Sequence, residues 1–94
     1  MASGKIQRHG MGAWESISLP YTLAKDSVVR INVNPYNANA AYILISDGTT
    51  PGLRVNAFSG YAEIQDFFCK RGATLTVTAA ANCDTYVYIS PIDF

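Results

Sequence analysis

The sequence predicts an all-β fold, namely an antiparallel β-sandwich of jelly-roll type with seven to eight short strands. Apolar and polar residues alternate along most of the chain, which is the period of a strand, and no stretch shows helical spacing. Turn residues recur at intervals of roughly 10 to 13 residues, as in sandwiches and barrels. Because 94 residues allow only one hydrophobic core, we expect an N-terminal arm at residues 1–12 and a single β-sandwich domain at residues 13–94.

The first predicted strand covers residues 14–21. Ile17, Leu19 and Tyr21 fall on one side of it, because successive side chains of a strand point to opposite faces. Trp14, the single tryptophan, follows a glycine-rich segment at the start of this strand. We expect Trp14 to close one end of the core rather than to serve as a platform for a ligand.

The next two strands have contrasting patterns. In residues 27–34, Val29, Ile31 and Val33 should face the core while the polar residues between them face outward. Residues 40–46 are apolar on both sides, which favours a central strand covered on both faces. The outer cover of that strand could be supplied by another chain.

Four further strands are predicted in the second half of the chain. Ile64 and Phe68 share one side of the first long strand there. Leu75 and Val77 share one side of the strand that follows, opposite a row of threonines. The predicted bounds are residues 53–58, 61–68, 73–79 and 85–90.

The chain carries few charges and no net charge. Seven Lys and Arg balance seven Asp and Glu, and charged residues make up 15% of the chain, against about 25% in a typical soluble domain. The cations are scattered, which argues against nucleic-acid binding and against electrostatic attachment to a membrane. The first residues lack the apolar stretch of a secretory signal, and no run is long enough to cross a bilayer. We expect a chain made in the cytoplasm without a signal peptide and without membrane insertion.

The residues that could catalyse a reaction are poorly placed for it. His9, the only histidine, lies in the N-terminal arm away from any predicted strand, so a Ser-His-Asp arrangement is not expected. Asp26, Asp47 and Asp84 adjoin turn residues, where a carboxylate usually accepts backbone N–H groups. No glycine-rich phosphate loop opens a helix. We predict no enzyme, no metal site and no cofactor.

The two cysteines, Cys69 and Cys83, fit neither a CxxC motif nor a zinc spacing. With one histidine besides, the chain cannot complete a four-ligand zinc site. One expectation is a pair of reduced, largely buried thiols. A disulfide between neighbouring strands is the other.

Residues 34–39 form a predicted loop that carries an aromatic ring flanked by carboxamides. Tyr36 could stack on the apolar face of a sugar ring, and Asn37 and Asn39 offer hydrogen-bond donors and acceptors to hydroxyl groups. We take these three residues as candidate ligand-binding residues for a host-surface glycan or protein receptor. Asn-Pro and Asn-Ala pairs are also ordinary turn formers, so a plain turn is the alternative.

A homo-oligomer is the partner that the sequence favours. Tyr86 and Tyr88 share the outer face of the last strand, and Thr74, Thr76 and Thr78 form a second uncharged row. Together with the strand that is apolar on both sides, these faces are less polar than a monomer usually exposes. The alternative is a monomer with these side chains on a solvated sheet.

Residues 67–77, FFCKRGATLTV, resemble the strand, basic-glycine turn and strand phrase of compact jelly-roll tip domains in bacteriophage tail fibres. Heads of the C1q/TNF type share this pattern. The predicted strands at residues 14–21 and 28–33 are similar to the opening strands of those domains. The resemblance implies a homotrimeric knob in the virion, whose loops contact a host-surface receptor and gain avidity from three sites.

We therefore expect a non-enzymatic structural protein of a bacteriophage, a small oligomeric β-sandwich knob of a tail fibre or a decoration of the capsid or tail. A carbohydrate-binding module is the alternative binding function. A small cupin-like jelly-roll enzyme is the alternative from another class. The single histidine, His9, argues against the cupin, because the metal of that fold normally takes several.

Overall fold

A computed structural model describes residues 13–36, 40–49, 51–58 and 60–92 of the chain. The regular structure of these residues is entirely β, which confirms the predicted fold class. None of them belongs to a helix that could cross a membrane. The strands are β1 (Glu15–Ile17), β2 (Tyr21–Thr22), β3 (Ser27–Pro35), β4 (Ala41–Ser46), β5 (Leu53–Ala57), β6 (Glu63–Cys69), β7 (Thr74–Ala81) and β8 (Cys83–Pro91).

The strands form two four-stranded antiparallel sheets that pack into a sandwich. One sheet has the order β1-β8-β3-β6 and the other has the order β2-β7-β4-β5. Each sheet combines strands from both halves of the chain, so most neighbours in space are distant in sequence, as in an eight-stranded jelly roll of two Greek keys. The predicted β-sandwich is therefore confirmed, with eight strands among the described residues.

The core lies between the sheets and consists of aliphatic side chains. On β3, Val29, Ile31 and Val33 are fully buried, in agreement with the alternation of the sequence. The opposite sheet contributes Ile45 and Leu75, which are equally buried. Since side chains of one strand alternate between faces, burying one set turns the intervening set outward and so defines two outer faces.

The predicted first strand is divided between the two sheets. β1 pairs with β8, whereas β2 pairs with β7 in the other sheet. Pro20 follows a cis peptide bond and has no N–H to donate to a ladder. It lies in the segment between β1 and β2, where the chain crosses from one sheet to the other. Ile17, Leu19 and Tyr21 nevertheless all pack against the core, as their shared side predicted.

On β6, the side of the strand that carries Ile64 and Phe68 faces outward and not toward the core. Ile64 and Phe68 are 55% and 56% exposed, whereas Phe67 packs against the core. The register with β3 decides this orientation, because Phe67 lies opposite the buried Val29 and residues directly opposite each other share a face. Two adjacent phenylalanines make the orientation ambiguous in the sequence.

The strands β4 and β7 depart from their predicted patterns in two ways. Burial alternates along β4, so Tyr42 and Leu44 are only half-buried and the described residues cover the outer side of the strand only in part. The ladder with β7 shifts register between Leu44 and Ile45. Val77, which lies opposite the buried Ile45, is nevertheless 45% exposed, because it lines an open cleft between the two sheets.

Candidate functional site

The loops that follow β3, β5 and β7 meet at one end of the sandwich. Pro35, at the end of β3, lies opposite Cys83 at the start of β8, and Val33 lies opposite Glu63 at the start of β6. Large exposed rings gather at this end, which we call the aromatic end. Its exposed aromatic residues are Tyr36, Phe58, Tyr61 and Tyr86.

The opposite end of the sandwich carries most of the charged loop residues. Asp26 accepts the Arg71 N–H at 2.8 Å, and Asp47 accepts the Thr49 N–H at 3.0 Å, so both carboxylates hold turns as predicted. The hydrogen bond from the Thr49 hydroxyl also lowers the pKa of Asp47. We call this the charged end; the charged loop residues at it are Lys25, Asp26, Asp47, Lys70 and Arg71.

Tyr36, the central residue of the predicted ligand loop, is held in a defined position at the aromatic end. Its hydroxyl donates to Asp84 Oδ1 at 3.2 Å, and its N–H donates to the carbonyl of Asn82 at 2.8 Å. Asn82 adopts a left-handed conformation with φ of 60°, and its side-chain amide donates to the Ala40 carbonyl at 3.2 Å. Asn82 thus ties both sides of the loop to the β7–β8 reversal. The other two predicted ligand residues, Asn37 and Asn39, lie outside the described residues, as does the N-terminal arm.

Asp84 lies in a strand, so the prediction that it caps a turn was wrong. It pairs with Asn34 across the β3–β8 ladder. Its side chain accepts a hydrogen bond from the Tyr36 hydroxyl on the outer face of the sheet. That hydrogen bond is the first cause of the raised pKa of Tyr36, and the charges of Asp84 and, more weakly, of nearby Tyr86 add to it. Asp84 and the two tyrosines therefore form one local group.

Two carboxamides continue this group along β3. Asn34 donates to the Asn32 side-chain oxygen at 3.2 Å, and Asn32 lies opposite Tyr86 in the ladder. Sequence reasoning identified Tyr36 but missed these neighbours. The signal was present, because Asn32, Asn34 and Tyr36 have the same parity and so follow one outer face.

The outer face of the first sheet is a second candidate surface, which we call the aromatic face. Arg30 forms a bidentate pair with Asp66, at 2.8 Å and 2.9 Å, and its guanidinium lies 4.2 Å from the centre of the Trp14 ring. Hydrogen bonding to Arg30 lowers the pKa of Asp66. Trp14 is thus half-buried against an outer-face side chain, and its expected place at the end of the core was wrong. The aromatic face consists of Trp14, Val28, Arg30, Ile64, Asp66, Phe68 and Tyr88.

The outer face of the second sheet is richer in hydroxyl groups. The hydroxyls of Thr22 and Thr74 lie 2.8 Å apart, and Thr78 donates to the Leu44 carbonyl at 3.0 Å. Tyr42, on the same face, lies beneath the Arg54 guanidinium at 4.3 Å. The tyrosines of β8 and the threonines of β7, which the sequence suggested as two interface surfaces, lie on opposite sides of the molecule.

A cleft of about 400 Å³ opens between the two sheets beneath the crossing from β1 to β2. Its walls are polar and apolar in nearly equal parts, with aliphatic side chains beside serine and threonine residues. The lining residues are Ser16, Ile17, Ser18, Leu19, Ile43, Val77, Thr85, Tyr86 and Val87.

The cysteines are separate free thiols, so the expectation of a disulfide was wrong. Cys69 lies opposite Ser27 and Cys83 lies opposite Pro35, at the two ends of β3. Eight residue steps along a strand span about 26 Å, far beyond the reach of a disulfide. Burial raises the pKa of the Cys69 thiol to about 11, which suppresses the reactive thiolate at neutral pH.

Within the described ranges, no three His, Cys, Asp or Glu side chains lie close enough together to hold a metal ion. Comparisons with protein-family models, with curated proteins and with solved structures give no match to this chain.

Proposed function

We propose that this chain is a non-enzymatic structural protein of a bacteriophage particle. It forms a small oligomeric β-sandwich knob of a tail fibre or a decoration of the capsid or tail, and it contacts the host surface. The jelly-roll strand order and the resemblance of residues 67–77 to tail-fibre tip domains support the viral assignment. The oligomer is supported by the exposed aromatic face, which a second copy of the chain would cover. The aromatic end is the surface that would contact the host.

The composition of the aromatic face favours burial against a second copy of the chain. Trp, Tyr, Phe and Arg are the residues enriched at the centres of protein interfaces. Its two charged groups, Arg30 and Asp66, already satisfy each other, so covering the face would leave no isolated charge without a partner. The chain has no net charge, so copies do not repel one another at long range.

The resemblance of residues 67–77 to trimeric tail-fibre tips favours a ring over a simple two-fold dimer. In a cyclic trimer, each subunit contacts two neighbours through two different surfaces and so buries a larger total area.

A trimer would present three aromatic ends on one rigid knob. Linked sites bind a repetitive host surface with an avidity well above the affinity of each site. A stand-alone carbohydrate-binding module is the second candidate function, because the aromatic end would serve it equally well. That module has no need to bury the aromatic face, so the two functions differ in solution mass.

The test is the mass of the chain measured by light scattering over a series of concentrations. We expect a trimer. Phe68→Glu places a charge on the aromatic face and should reduce the mass to that of a monomer, whereas Thr76→Glu, the matched control on the exposed outer face of β7, should leave it unchanged. A wild-type chain that stays monomeric at the highest concentration would contradict the oligomer. Detection of the chain in purified phage particles by mass spectrometry would test the viral assignment separately.

A further inference from the structure

We propose that the aromatic end binds a neutral oligosaccharide, with Asp84 as the central hydrogen-bond acceptor and with Tyr36 and Tyr86 as flanking stacking surfaces. This inference rests on the proposed function, because it names the chemistry of the host-surface receptor. Asp84 and Tyr86 belong to β8, and Tyr36 directly follows β3, which pairs with β8 over nine residues at the centre of the first sheet. The site is therefore anchored on two paired strands.

Asp84 supplies an acceptor that the protein uses only in part. Its Oδ1 accepts the Tyr36 hydroxyl at 3.2 Å, and no cation among the described residues forms an ion pair with it. A carboxylate has about four lone-pair positions, so Asp84 can accept further hydrogen bonds. Hydroxyl groups of a sugar are suitable donors, and hydrogen bonds to an ionised acceptor are stronger than neutral ones.

The two carboxamides of β3 supply both kinds of hydrogen-bonding group next to Asp84. The bond from Asn34 Nδ2 to Asn32 Oδ1 leaves the Asn34 oxygen as an acceptor and the Asn32 amide as a donor. A sugar hydroxyl donates and accepts at the same time. The row of Asn32, Asn34 and Asp84 therefore matches a ligand that carries several neutral hydroxyls.

The tyrosine rings provide the apolar part of the site. Tyr36 and Tyr86 are about half exposed, at 48% and 50%, and the hydrogen bond to Asp84 together with the strand backbone holds Tyr36 in place. A pyranose ring has an apolar C–H face that can cover an exposed aromatic ring. The two rings lie on either side of Asp84, so a short oligosaccharide fits the site better than a single sugar.

The charge distribution favours a neutral ligand over an anionic one. The described charged groups near the aromatic end are acidic, namely Asp84 and Glu63. The cations of the loops, Lys25, Lys70 and Arg71, lie at the charged end of the sandwich. An anionic sugar or a phosphate would therefore meet repulsion at this site.

A basic peptide is the competing ligand, because it could pair with Asp84. Such binding would weaken steeply with salt, whereas hydrogen bonding and stacking of a neutral sugar change little. Salt dependence therefore separates the two ligands in one measurement.

The experiment is a titration of the ¹⁵N-labelled full chain followed by NMR. The neutral probes are maltotriose, cellotriose and chitotriose, sialyllactose is the anionic probe, and a lysine-rich peptide is the cationic probe. We expect a neutral trisaccharide to shift the amide signals of residues 32–36 and 84–86 with a dissociation constant of about 1 mM. We expect sialyllactose and the peptide to leave them in place.

Two variants and one control locate the site. Asp84→Asn weakens an acceptor and Tyr86→Ala removes a ring, and each should reduce affinity about tenfold. Tyr42→Ala, the matched control, removes a ring from the outer face of the opposite sheet and should leave binding unchanged. The amide spectrum of each variant reports whether it is folded.

The proposal is overturned if no neutral probe shifts these signals at about 50 mM, roughly fifty times the expected dissociation constant. Salt-sensitive binding of the peptide alone would overturn it in favour of a basic partner. A monomer that binds the sugar would refute the oligomeric function and leave this site standing. A trimer that binds none of the neutral probes would do the reverse.

Discussion

Leu75 and Val77 offer the sharpest test of the sandwich, because the sequence pattern treats them alike and the structure does not. Both residues belong to β7 and have the same parity, yet Leu75 is fully buried while Val77 is 45% exposed. We expect Leu75→Ala to lower the free energy of unfolding by about 3 kcal/mol, which is typical for removing a buried leucine. Val77→Ala should cost less than about 1 kcal/mol.

The magnitude for Val77 follows from its exposure. Valine has two carbons more than alanine, and each carbon transferred from water contributes about 0.8 kcal/mol when fully buried. With roughly half of the side chain in solvent, the loss is halved and no closed cavity forms. The difference between the two variants is therefore about 2 kcal/mol.

The assay is urea unfolding followed by circular dichroism, with all proteins at one concentration because association would add to stability. Thermal melts should agree, with Leu75→Ala melting about 12 to 24 °C below the wild type, since 1 kcal/mol corresponds to about 4 to 8 °C in a domain of this size. Equal losses for the two variants would refute the open cleft beside Val77 as the reason that this side chain is exposed.

Two further predictions concern the thiols and the glycine turns. Iodoacetamide at about pH 8 should label Cys83 well before Cys69, because burial raises the pKa of Cys69 to about 11. The thiolate population of Cys69, and with it the labelling rate, should keep rising with pH up to that value. Equal labelling rates of the two cysteines, measured by mass spectrometry, would argue against the burial of Cys69. Gly52→Ala should destabilise the fold by more than Gly48→Ala. Both glycines have positive φ, 88° at Gly52 and 91° at Gly48. Only at Gly52 would a new Cβ also lie 2.9 Å from a carbonyl oxygen of β4. Identical urea midpoints for the two glycine variants would show that this close approach has no energetic effect.

The sequence predicted burial most accurately on the central strands, where apolar and polar residues alternate clearly. Val29, Ile31 and Val33 on β3, and Val87 and Ile89 on β8, are buried as their alternation predicts. β6 is different, because it lies at the edge of its sheet and carries apolar residues on both parities. Its register with β3 decides which of its side chains face the core.

The candidate site was predictable only in part. Tyr36 was identified from its loop, but Asp84 and Tyr86 lie about fifty positions away in the sequence, and the pairing of β3 with β8 brings them together. Trp14 was misplaced for a related reason. Its contact is the outer-face guanidinium of Arg30, which no local pattern of the first strand reveals.

The sequence by itself determined the fold class, the single core and most of the residues that fill it, because alternation and turn residues are local properties of the chain. Tertiary structure alone decided which strands pair, and therefore which outward side chains share a face. Pairing is non-local, since β3 lies between β6 and β8 and its partners come from the far half of the chain. The collection of aromatic rings on one face and one end follows from that pairing, and with it both proposed binding surfaces.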